Sequence, residues 1–145
     1  MGFELIALLC TGLFAGAAIY VTLVEHPARV GCGPVLAIAE FRPSYRRGAL
    51  MQASLASIGC VAAVAAFTQG RGAPVLVAGL LLGAAILFTL IVILPTNKRL
   101  LDSRLDPLTA EAATLLARWG HLHAVRSAIG GAAFLLLGLH VLGAI

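Results

Sequence analysis

The sequence predicts an all-α protein, an integral membrane four-helix bundle with a short interfacial segment and a cytoplasmic extension of the last helix. Three observations carry that prediction. Hydrophobic residues are 61% of the 145 and charged residues 11%, with a mean hydropathy of +1.03, far outside the range of water-soluble domains. Uncharged runs cover residues 5–24, 48–70, 72–97 and 127–145. Roughly 20 apolar residues cross about 30 Å of hydrocarbon as helix, so four spans follow. The basic residues are lopsided: Arg29, Arg42, Arg46 and Arg47 lie between spans one and two, and Lys98, Arg99, Arg104, Arg118 and Arg126 between three and the core of four. Only Arg71 lies on the other side. The positive-inside bias makes the crowded side cytoplasmic and puts both termini outside, as in a bacterial inner membrane protein. The formal charge of +4 then serves topology and contact with membrane lipids. No basic stripe interleaved with aromatics points to nucleic acid.

The four spans, roughly 4–25, 45–69, 73–97 and 119–144, make a single transmembrane domain over 1–145. The first run has Glu4 where a cleavable leader would need a positive region, so it reads as a retained helix. Pro27, with no N–H and a fixed φ, is expected to end that span, and GCGP supplies turn residues. Residues 34–47 are apolar, then basic, and too short to span, so they are expected at the interface before span two begins near Ser44 or Tyr45. QGRGAP joins spans two and three as an antiparallel hairpin. Asp106 as N-cap and Pro107 at the first helical position predict a last helix of about 58 Å, which either protrudes or bends near Gly120. Gly12-x-x-x-Gly16 and Gly79-x-x-x-Gly83 permit close helix approach, within the bundle or between copies in a homo-oligomer. Cys10, Cys32 and Cys60 form no CxxC, so free thiols are expected.

The chemistry-bearing residues gather at the cytoplasmic ends of the spans. Trp119, His123 and Arg126 recur at helical spacing on one face of the last helix, with His121 pointing away. A buried Arg costs about 2.5–3.5 kcal/mol at the centre of a span, so Arg126 is expected at the interface, paired, or in a wet cavity. Glu25 and His26 end span one at the same depth, and Asn97 ends span three there. Tyr45 and Gln52, seven apart, share a face of span two. His123 suits a general base or a ligand, with His26 and Glu25 beside it; Trp119, Asn97, Gln52 and Tyr45 are candidate substrate contacts. His140, near the outer end, reads as interfacial. HExxH, CxxCH, GxSxG and phosphate-cradling patterns are all lacking, so no cofactor is evident from motifs.

Three short motifs, VEHPAR at 24–29, LPTNKRLL at 94–101 and the W-x-x-x-H-x-x-R of Trp119, His123 and Arg126, together resemble the anthrone oxygenase-like integral membrane family. That family includes fungal enzymes that oxidise anthrones to anthraquinones. The resemblance covers nearly the whole chain. It implies an apolar aromatic substrate, anthrone- or quinol-like, entering from the membrane; His123 taking an acidic proton; Arg126 stabilising the anion; and dioxygen reacting with it. A second expectation keeps the residues and changes their task, with His26, His123 and Glu25 holding a transition metal or a haem. A third is a non-catalytic bundle that binds an apolar ligand or supports a larger complex.

Overall fold

The computed structural model describes residues 2–145. It contains four helices, α1 (Gly2–Gly31), α2 (Pro34–Thr68), α3 (Ala73–Leu101) and α4 (Ala110–Val141), each long and apolar enough to cross a membrane. No strand occurs among the described residues. Helices α1 and α3 each pack against both α2 and α4, while the diagonal pairs barely touch. The result is an up-down-up-down ring. Its outside is apolar, with Leu13, Leu23, Leu50, Val61, Ile91 and Leu135 among the exposed side chains. In water such a surface would associate; in lipid it is the expected solvent-facing face.

The hairpin links are short because glycines take conformations closed to other residues. Gly33, Gly70 and Gly72 have φ of 90°, 82° and 88°, where a Cβ would clash with the backbone. Small residues then set the helix spacing. A Cβ on Gly79 would lie 2.7 Å from that of Ala63, so α2 and α3 touch almost backbone to backbone. Gly12 faces Phe134 and Gly83 faces Cys60, so these glycines serve packing within the bundle, whereas nothing lies near Gly16. At this end the core is mostly alanine: Ala7, Ala62, Ala63, Ala66, Ala78 and Ala133. Toward the other end, which carries nine of the ten cations and is here called the basic end, the core residues grow to Ile38, Phe41, Ile93, Leu100, Leu116 and Trp119. Larger side chains force the helices apart there.

The helices run further at the basic end than the apolar runs suggested. Helix α1 does not stop at Pro27; it continues to Gly31. Residues Val21–Glu25 form a π-helical turn in which the His26 N–H reaches back to the Val21 carbonyl. The extra residue in that turn shifts the hydrogen-bond register just ahead of the proline, so its missing N–H falls where the ladder is already being rearranged. Helix α3 repeats the device: Thr89–Ile93 is π-helical, Leu94 N–H bonds the Thr89 carbonyl, and Pro95 follows. Residues 34–47 join α2 without a break, despite Pro43 inside the helix. Burial of Ala37, Ile38 and Phe41 against the other helices offsets the one backbone bond that Pro43 removes.

Helix α4 starts later than the sequence suggested. Its N-cap is Thr109, whose hydroxyl accepts the Ala112 N–H at 3.2 Å. Asp106 instead closes the preceding turn, its carboxylate accepting the Leu108 N–H at 3.0 Å, a local bond Asp readily makes before proline-containing turns. From Ala110 the helix runs unbroken through Gly120. At about 48 Å it outreaches the hydrocarbon, and its first turns extend the bundle beyond the membrane at the basic end. The α3–α4 connection there is pinned by Asp102, whose carboxylate accepts from the Arg104 backbone and guanidinium. Those bonds pull its pKa down to about 2.

Candidate functional site

Where the helices diverge toward the basic end they enclose a cavity of about 200 Å³. Its deep wall is apolar, made by Phe14, Ala56, Ala85 and Ile86. Glu25, Tyr45, Gln52, Asn97, Trp119, His123 and Arg126 all line it, so seven of the eight expected site residues meet. The eighth, His26, does not. Two lining residues, Ala53 on α2 and Leu90 on α3, are also exposed on the outside. The cavity therefore opens sideways, between α2 and α3, into the zone of apolar surface.

His123 is 3% exposed and anchored on one nitrogen. Its Nδ1 lies 3.0 Å from the Thr22 hydroxyl and 3.4 Å from that of Ser127, and the two hydroxyls are 2.7 Å apart. Ser127 can donate to the Ala18 carbonyl at 2.9 Å and Thr22 to Ser127. With their protons so placed, Nδ1–H donates to Thr22 and leaves Nε2 with a free lone pair. Nε2 has no protein partner among the described residues. Stacking on Trp119, with centroids 4.7 Å apart, fixes the ring plane.

Arg126, one turn further into the membrane, donates to the Gln52 side-chain carbonyl and lies 5.0 Å over the Phe14 ring. No carboxylate pairs with it among the described residues. A neutral amide and an aromatic face orient a guanidinium without cancelling its charge. The cavity therefore holds a net cation. Arg29, by contrast, is paired twice over, with Glu25 and Glu40, and donates to Ser44 at 2.9 Å. It closes the basic end of the cavity, its guanidinium 5.4 Å over Phe41 and 5.8 Å over Trp119.

Trp119 donates its indole N–H to the Asn97 carbonyl at 2.8 Å, and the Asn97 amide nitrogen lies 3.0 Å from the Tyr45 hydroxyl. The indole also packs against His26, tilted by 50° with 5.0 Å between centroids. His26 fills the space left by Gly120, where a Cβ would come within 2.6 Å of Nε2. The indole thus touches both imidazoles. Among the described residues no three of His, Cys, Asp and Glu converge as metal ligands. Of the set His26, His123 and Glu25, only His123 and Glu25 line the cavity. His121 is exposed, as its helical phase required. His140, at the far end, lies 3.6 Å from Glu4.

Residues 41–136 match the profile of a family described as anthrone oxygenase. The chain belongs to the anthrone oxygenase family. Over 98 residues it is 35% identical to anthrone oxygenase tpcL of Aspergillus fumigatus, covering 62% of this chain and 61% of that protein. No solved structure matches the chain. The region shared with the anthrone oxygenase family holds Tyr45, Gln52, Asn97, Trp119, His123 and Arg126. The α1 contribution, Thr22, Glu25 and Arg29, precedes it. Sequence reading missed Thr22, Ser127 and the inward turn of Arg29. Ser127 was detectable four residues after His123, one turn along the same face; Thr22 carried no signal beyond a hydroxyl within an apolar run.

Proposed function

We propose that this protein is a membrane-embedded oxygenase that takes an apolar aromatic substrate of the anthrone or quinol type and presents it, as its anion, to dioxygen. The observation that carries this reading is Arg126: a cation without a counter-charge, beside an imidazole with a free Nε2, in a cavity whose deep wall is apolar. Burying a guanidinium in a span costs about 2.5–3.5 kcal/mol. An anionic ligand offsets that cost.

For an anthrone the steps follow from acidity. His123 Nε2 takes a proton from the methylene carbon, whose charge delocalises onto the ketone oxygen, and Arg126 stabilises that oxyanion. The electron-rich anion passes an electron to dioxygen. Recombination forms a C–O bond, and the peroxide takes the proton back from His123. Loss of the second methylene hydrogen with cleavage of the O–O bond releases water and leaves a carbonyl. Overall CH₂ and O₂ become C=O and H₂O, a four-electron oxidation matched by the four-electron reduction of dioxygen. The apolar walls exclude water from the anion, and the lateral opening suits a substrate dissolved in lipid.

The test is oxygen uptake and quinone formation by purified protein in lipid nanodiscs supplied with an anthrone. Turnover above the spontaneous rate that falls with Arg126→Ala supports the proposal. Equal rates with and without protein overturn it and leave the ligand-binding alternative. The charge distribution further supports an orientation with the basic end in the cytoplasm and both termini outside, as in a bacterial inner membrane. Cys32, exposed at the α1–α2 turn, should then react with an impermeant maleimide in inverted vesicles and not in right-side-out ones.

A further inference from the structure

The indole N–H of Trp119 is a donor and nothing else. Its 2.8 Å bond to Asn97 therefore settles which end of that amide faces it. The flipped amide would set two donors against each other in a buried place, since Asn97 is 1% exposed. With Oδ1 committed to Trp119, the nitrogen must face Tyr45, and the Tyr45 oxygen must accept. A phenol that accepts from its protein partner keeps its own hydrogen. No protein acceptor for that hydrogen exists among the described residues, while Tyr45 lines the cavity. The ring itself is held by stacking on Phe41, with planes 12° apart.

From this juxtaposition we propose that Tyr45 is a donor of fixed polarity that binds a second oxygen on the ligand, at a point separate from Arg126. The proposal rests on the oxygenase reading and deepens it. Arg126 is oriented by Gln52, and Tyr45 lies seven residues before Gln52 on the same face of α2, about 10 Å along the helix. The two donors thus address different edges of a flat molecule, Tyr45 from α2 and Arg126 from the face of α4 that also carries Trp119 and His123. A substrate with its ketone oxygen at Arg126 directs its reacting carbon toward the other edge. The oxygen added there is the one Tyr45 receives. The ligand class is accordingly a fused aromatic with oxygen functions on opposite edges. Asn97 and Trp119 are positioning residues that set the direction of the Tyr45 bond.

Trp119 is the chain's single tryptophan, so its fluorescence reports occupancy of the cavity directly. The experiment titrates the protein in nanodiscs, without oxygen, with 9,10-anthraquinone and with anthrone, which lacks the second oxygen. The wild type should bind the dione about tenfold tighter, the scale of one good hydrogen bond. Tyr45→Phe should bring the two affinities together. Asn97→Asp should do the same while leaving the phenol in place: a carboxylate accepts from both neighbours, so Tyr45 turns its hydrogen away from the ligand. A preference that survives Tyr45→Phe, or one that survives Asn97→Asp, overturns the proposal. Failure of the wild type to bind either compound overturns the aromatic-substrate reading and this one with it, an outcome distinct from binding without preference.

Discussion

An imidazole used as a base needs one nitrogen held and the other bare, and His123 obtains this from two hydroxyls rather than from a carboxylate. A hydroxyl pair orients the ring without adding a charge inside the membrane, where a buried carboxylate would be costly unless paired. His123→Ala should lower turnover by about 10²–10⁴-fold, the usual range for removal of a general base, with protein level and helicity retained. Thr22→Val, nearly isosteric, should cost roughly tenfold in kcat, the scale of one hydrogen bond; an unchanged kcat would mean that the Thr22 contact does not orient the base. At this scale legibility was uneven. Helical phase alone brought Trp119, His123 and Arg126 to one face and put His121 on the other, because 100° per residue is insensitive to tertiary detail. It did not show that His26 stays outside the cavity that His123 lines, since that depends on how α1 and α4 pack. Nor did it reveal that Arg29 is buried, because two of its partners, Glu40 and Ser44, lie beyond the turn in α2.

At the scale of the helix, the two π turns explain how prolines sit inside spans that nevertheless continue. Both precede their proline by a single residue, at Val21–Glu25 before Pro27 and at Thr89–Ile93 before Pro95. Each supplies cavity-lining side chains: Val21 and Glu25 from the first, Thr89, Leu90 and Ile93 from the second. A widened turn swings residues that a regular helix would aim elsewhere, consistent with the frequency of such bulges at functional sites. A rule that treats proline as a stop therefore misplaced the end of α1, whereas the existence of four long apolar helices was plain from run length. Close approach at Gly120 is the second element-scale constraint. Gly120→Ala places a methyl group 2.6 Å from His26 Nε2, and the Trp119 indole already packs against that ring, with centroids 5.0 Å apart. The substitution should destabilise by about 1–3 kcal/mol, read as a lower melting temperature in detergent. Gly16→Ala, with nothing within 4 Å, is the control and should be neutral or stabilising by up to about 1 kcal/mol.

For the molecule as a whole, small residues at one end and bulky ones at the other produce a bundle that is tight where α2 meets α3 at Gly79 and open where the same helices pass Ala53 and Leu90. That taper was not legible from composition. Alanine and glycine are spread along the chain, and only their pairing across helices shows which contacts are close. Ala53→Trp should obstruct the opening, raising KM for a three-ring substrate severalfold while leaving kcat near that of the parent; an unaltered KM would place the route elsewhere. An opening onto lipid also changes what concentration means for this protein. A greasy reactant partitions into the bilayer and meets the opening by two-dimensional diffusion, so the quantity the catalyst senses is moles of reactant per mole of phospholipid. Adding empty vesicles at constant total reactant should slow the reaction by surface dilution, and rates from preparations of different lipid content should superimpose only when plotted against mole fraction.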